Sequence, residues 1–113
     1  MTIDEIYTLI ATNITNSIQD ESWTKAILYI HGNDAYVDTT GEYFDNCNIT
    51  KALDVHSFDP TVDFGLMELH EITNRAQNEQ WNRAIFTLAA NGIFDMKFIW
   101  DQTLQDELDQ GNS

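Results

Sequence analysis

At 113 residues, 42% of them hydrophobic and with five basic against nineteen acidic side chains for a formal net charge of −14, the chain can bury one core without disulfides or metals. Its field repels nucleic acid and anionic lipid and attracts basic proteins. A single cysteine, Cys47, excludes an internal disulfide framework, and the opening MTIDEIYTLIATN has neither a basic leader nor an uninterrupted apolar stretch, so a cytoplasmic protein without membrane segments is expected.

Thr2 and Glu5 have the spacing of a capping box, and Ile3, Ile6, Tyr7, Ile10, Ile14 and Ile18 follow at helical intervals up to Asp20-Glu21, which predicts an amphipathic first helix. Trp23 then opens WTKAILYI, where Ala26, Leu28 and Ile30 alternate with Lys25, Ile27 and Tyr29. HGND turns the chain into AYVDTTGEYF, and a hairpin is expected. The stretch from Asp45 to Ser57, DNCNITKALDVHS, has no clear period and leaves room for a short strand or a turn.

Asp59-Pro60 reads as the start of a second helix, with Leu66, Leu69, Ile72 and Ala76 on one face, a Glu71–Arg75 support pair and an end near Asn78. WNRAIFTLAANGIFDMKFIWD is a second hairpin. A two-residue Asn91-Gly92 turn would scatter apolar side chains over both faces, whereas a three-residue loop, Ala90 to Gly92 with Gly92 left-handed, pairs Phe86 with Met96, Leu88 with Phe94 and Ala84 with Phe98. The opposite face then carries Arg83, Ile85, Thr87, Asp95, Lys97 and Ile99. QTLQDELDQGNS predicts a short acidic helical turn, with 109–113 a frayed tail. The fold class expected is α+β: one domain, 1–113, in the order helix, hairpin, helix, hairpin, with an antiparallel sheet of four to five strands covered by helices on one face. A faint echo runs through it, Trp23, Lys25, Ala26 and Ile27 matching Trp81, Arg83, Ala84 and Ile85; over so few residues chance competes with duplication.

Chemistry-bearing patterns are sparse. Glu68, His70, Glu71, His31, His56 and Cys47 are the candidate metal ligands, without HExxH or CxxC spacing, so no metal is expected. Cys47 lies between Asp45 and Asn48 in an acidic neighbourhood that disfavours a thiolate, and the isolated glycines form no phosphate-cradling loop. No catalytic residue and no cofactor are therefore assigned. The three tryptophans are read as core. Between residues 33 and 63 seven acids face Lys51 alone, and the expected partner-binding set is Asp34, Tyr36, Asp38, Glu42, Tyr43, Asp45, Asp54, Asp59 and Asp63, the tyrosines serving as exposed anchors.

In element order and in core residues, the opening helix, WTKAILYI, TTGEYF, FGLMELHEITNRAQ and WNRAIFTLAANGIFDMKFIWD resemble the YezG-like immunity protein family, from about Ile3 to Leu108. The resemblance implies a small cytoplasmic antitoxin that binds and neutralises the toxic C-terminal domain, often a nuclease, of a polymorphic or contact-dependent bacterial toxin. It supplies no catalytic residues. An acidic adaptor or chaperone for a basic cellular protein is the alternative that charge alone allows, with a small enzyme behind it.

Overall fold

The computed structural model describes residues 1–33, 35–76 and 80–111. Helix α1, Ile3–Ser17, starts at the capping box: Thr2 Oγ1 accepts from the Glu5 amide at 3.1 Å, and Glu5 Oε1 accepts from the Thr2 amide at 2.9 Å. Its isoleucine stripe, Ile6, Ile10 and Ile14, is fully buried. Strands β1 (Trp23–Gly32) and β2 (Val37–Asp45) form the first hairpin. Gly32 has φ +152°, and a Cβ there would lie 2.3 Å from the Tyr36 carbonyl oxygen, so the turn requires glycine.

The stretch without a period becomes three small features. Asp45 closes a turn in which Asn48 takes a left-handed φ of 60°; strand β3, Thr50–Ala52, then pairs with β2, and a single 3₁₀ turn spans Val55–Ser57. Helix α2, Thr61–Ala76, follows, and residues 77–79, where its end near Asn78 was expected, lie outside the described residues. Strands β4 (Arg83–Ala89) and β5 (Phe94–Ile99) pair with Phe86 opposite Met96, Leu88 opposite Phe94 and Ala84 opposite Phe98. The Ala89 amide donates to Ile93 O at 2.8 Å and Gly92 has φ +94°, which is the expected three-residue loop with its left-handed glycine. Helix α3, Gln102–Gly111, is longer than the expected turn, because the Asp101 carboxylate accepts from the Leu104 amide at its start; it takes in 109–111 of the expected tail.

The strands form one antiparallel sheet, β3-β2-β1-β4-β5. Ala26, Leu28 and Ile30 of β1 and Ala84, Phe86 and Leu88 of β4 are buried together with the apolar stripes of α1 and α2, the latter being Val62, Leu66 and Leu69. Among the described residues no helix covers the opposite face, which alternates Lys25, Ile27, Tyr29 and His31 with their counterparts on β2, β4 and β5.

The W-x-[KR]-A-I echo has a structural counterpart. The offset that carries Trp23 onto Trp81 also carries Ala26 onto Ala84, Leu28 onto Phe86 and Ile30 onto Leu88. In the β1–β4 pairing Ala26 faces Leu88, Leu28 faces Phe86 and Ile30 faces Ala84. The two helix-hairpin halves are thus related by an approximate dyad at the Leu28–Phe86 pair, with α1 answering α2 and β2 answering β5.

The sheet is wider than its helical cover. Trp81 is buried, its indole N–H donating to Thr73 Oγ1 at 2.8 Å, and Trp23 is half-buried, but Trp100 is 44% exposed, contrary to the core assignment, since it lies past the end of β5. Phe98 stacks at 5.1 Å on Trp81 yet is half-buried, and Phe94 is 45% exposed. Phe86→Ala is expected to cost about 3 to 5 kcal/mol, and Phe98→Ala clearly less. Urea denaturation of the two variants checks this, and an equal or larger loss at Phe98 contradicts the partial cover of β5.

Candidate functional site: an acidic cleft between β2 and the start of α2

Charge is unevenly distributed over this fold. Lys25, Arg83 and Lys97 on the uncovered sheet face meet Asp38, Glu42 and Asp95 there, so that face balances, and the surplus of −14 belongs to the helices, loops and ends.

The nine residues expected to bind a partner separate into three groups. Asp34 lies outside the described residues. Tyr36, Tyr43 and Asp45 are occupied by the fold. Tyr36 is half-buried in the β1–β2 turn, where its amide donates to Asn33 Oδ1 at 3.1 Å. Tyr43 faces the helices opposite Ala26 and packs on the core, because the strand alternation that puts Phe44 outward puts it inward. Neither is the exposed anchor expected. Asp45 is 7% exposed: its Oδ1 accepts from the amides of Cys47 (2.8 Å) and Ile49 (3.0 Å), and Lys51 Nζ lies 3.7 Å from its other oxygen. These bonds hold its carboxyl below the usual range and make it the anchor of the β2–β3 turn.

Glu42 sits on the sheet face and accepts from the Tyr29 hydroxyl at 2.9 Å, while Asp54 is exposed before the 3₁₀ turn, its carbonyl accepting from Ser57 Oγ. The remaining three are brought together. Asp38, Asp59 and Asp63 line a cleft of about 260 Å³ with His56, Val55 and Phe58. Asp59 caps α2, accepting from Thr61 N (2.9 Å) and Oγ1 (2.8 Å), which lowers its pKa, and its own amide donates to Asn13 Oδ1 of α1 at 2.8 Å. Asp38 pairs with His31 Nε2 at 3.3 Å. Asp63, exposed in the first turn of α2, has a carboxyl raised above its ordinary value by partial desolvation and then by repulsion from Asp38.

Sequence reasoning missed a second group. Asp20 accepts from Ser22 and from Lys51 Nζ at 2.7 Å, which depresses its pKa to about 2. Lys51, the lone base of the acidic middle, is thereby shared between Asp20 and Asp45. Also missed was a polar cleft of about 240 Å³ at the far end of β1, lined by His70, Asn74, Trp81, Asn82 and Gln105 among others; His70 Nε2 lies 2.9 Å from the Trp81 carbonyl. Both depend on contacts between residues far apart in sequence, which periodicity does not reveal.

Among the described residues no group of three or more His, Cys, Asp and Glu side chains stands close enough to hold a metal ion, and no helix is long and apolar enough to cross a membrane. Cys47 is exposed at the β2–β3 turn, its thiol 3.7 Å from Asn46 Oδ1, and does not line the cleft that holds His56. No protein-family model matches the chain, and no curated protein matches it either.

The shifts have opposite signs of consequence. Asp20 binds its proton more weakly folded than unfolded, so its contribution is present above its ordinary pKa and is lost as pH falls through about 2. Asp63 binds its proton more tightly folded, so its ionisation opposes folding at neutral pH. Asp63→Asn is therefore expected to raise the urea midpoint at pH 7, and Asp20→Asn to lower it and to flatten the loss of stability on acidification. Unfolding curves across the acid range check both signs.

Proposed function

We propose that the chain is an immunity protein, which binds and neutralises the toxic C-terminal domain of a polymorphic or contact-dependent bacterial toxin by covering a basic surface without turnover. A nuclease is the toxin class whose cationic cleft such a surface suits, since carboxylates there take the place of phosphates. The observation that supports this reading best is the placement of Asp63, an exposed carboxylate, beside Asp38 in one cleft, where the fold gains nothing from their repulsion. Like-charged groups kept together at a cost to stability are characteristic of sites that meet an opposite charge. The resemblance to YezG-like immunity proteins across the element order, and the confinement of the net charge to the helix side and loops, point the same way.

Binding by this surface is steered before contact, since three carboxylates in the cleft and an overall charge of −14 act at long range on a cation. Removing one carboxylate should then act mainly on association.

The test is a titration of the cognate toxin domain with this chain. Protection is expected to be complete at one equivalent, and full protection at a small fraction of an equivalent rules the reading out. In stopped-flow association the double variant Asp38→Asn with Asp63→Asn should associate more slowly than the unaltered chain and lose less of its rate on going from low to physiological salt, where the screening length is about 8 Å. An unchanged rate in a folded double variant moves the interface away from the cleft.

A further inference from the structure

The two halves of the fold differ at their outer strands. On one side β2 is closed by β3, whose short ladder pairs Glu42 with Ala52, Tyr43 with Lys51 and Phe44 with Thr50. On the other, β5 answers β2 in the approximate dyad but, among the described residues, pairs with β4 alone and ends the sheet. The chain leaving β5 turns back over β4, where Asp101 receives the Arg83 guanidinium at 2.7 Å and its amide donates to Asn82 Oδ1 at 2.7 Å.

The ladder defines which groups β5 holds free. The Ala89 amide bonds to Ile93 O, and the register then continues without a shift, so by antiparallel alternation residues 93, 95, 97 and 99 direct their peptide groups to β4. Phe94, Met96 and Phe98 direct theirs outward. The exposure is apolar on both faces at this edge: Ile93 is 70% and Phe94 45% exposed. An edge with free peptide groups is a template for another strand, provided that its charges, here Asp95 and Lys97, meet opposite ones.

The sequence of that edge, Ile93-Phe94-Asp95-Met96-Lys97-Phe98-Ile99, reads the same in both directions about Met96, except that Asp95 and Lys97 exchange sign. We infer that β5 is a homodimerisation strand, pairing antiparallel with β5 of a second copy about a twofold axis at Met96 to make one continuous sheet. In this register every outward peptide group finds a bonded opposite: Met96 faces the second copy's Met96, and Phe94 its Phe98. Asp95 faces Lys97 on the uncovered sheet face, twice over, and the phenylalanines stand side by side on the helix face, where Phe94 already contacts Tyr7 and Phe86 at 5.5 and 5.4 Å. Twofold axes at Asp95 or Lys97 would place like charges opposite one another, and an axis between residues would mix the faces. The charge pattern thus selects the register and selects a second copy of this chain as the occupant. Edge, register and charge are self-complementary in the way a twofold interface requires.

The net charge of each copy works against the union, so salt strengthens it. Sedimentation and light scattering of the full chain should show a concentration-dependent dimer that tightens as salt is raised. Lys97→Asp and Asp95→Lys, made singly, should each weaken it by about tenfold or more, because attraction becomes repulsion at both symmetric sites. The double variant D95K/K97D should restore it, since each new lysine again faces an aspartate. Thr87 and Ile85, opposite these positions on β4, are uncharged, so the exchange breaks no directly opposed charge pair within the chain. Met96→Pro removes an outward amide that the β4 ladder does not use, and should give a monomer with the circular dichroism of the unaltered chain. Should that variant unfold, the charge series still decides. A chain that stays monomeric across concentration and salt overturns the inference, as does a dimer indifferent to the single reversals or a double exchange no tighter than either single one.

Discussion

The antiparallel pairing of β1 with β4, with Leu28 opposite Phe86 under both long helices, is the contact on which the rest of the molecule depends. Both side chains are fully buried, and the isoleucine stripe of α1 and the apolar stripe of α2 close over them. A strand has two faces, so fixing these residues inward fixes Lys25, Ile27, Tyr29, Arg83, Ile85 and Thr87 outward in one step. It also makes β2 and β5 the outer strands of their respective hairpins. The helical cover is centred on the middle pair and thins toward both sides, which is why Phe86 is sealed while Phe98, on the same face, is half-open.

Much of this was legible because it is periodic. The hairpin register followed from refusing to scatter Phe86, Leu88, Phe94 and Met96 over two faces, and the capping box from a threonine and a glutamate three residues apart. What stayed hidden depends on partners distant in sequence. Asp45 reads as one more surface acid, yet two amides within its own turn and a lysine shared with Asp20 commit it to the scaffold. Tyr43 reads as an exposed aromatic among acids, but the first hairpin's parity turns it inward. Trp100 reads as core by its type, and its position past the strand end decides otherwise. In the same way, β3 and the 3₁₀ turn are too short to have a period of their own.

The acids of this chain do two different kinds of work. Glu5, Asp20, Asp45, Asp59 and Asp101 each accept from a backbone amide, a hydroxyl or a cation, and each has its carboxyl held below the usual range by those bonds. They are caps and turn anchors, and their charge is spent locally. Asp63 is different in sign: burial and Asp38 push it upward. The N-terminus of α2 favours a carboxylate in that first turn, and a cationic partner would in addition relieve its repulsion from Asp38.

The two proposed surfaces lie at opposite sides of one sheet. The cleft is built on β2 and the start of α2, and the free edge is β5, with β1 and β4 between them. Pairing through β5 therefore leaves the cleft of each copy clear and places the two clefts at the far ends of the joined sheet, each able to take its own partner. The electrostatics of the surfaces also separate. The cleft gathers three carboxylates with no lysine or arginine in its lining and works by long-range attraction, which salt weakens; the edge carries one acid and one base per copy and works by short-range pairing against a long-range repulsion, which salt relieves. A chain of such uniform sign can meet a copy of itself through its neutral edge while its acidic side stays committed to a cation: the excess of carboxylates invites one partner and opposes the other, whose register rests on Asp95 and Lys97 alone.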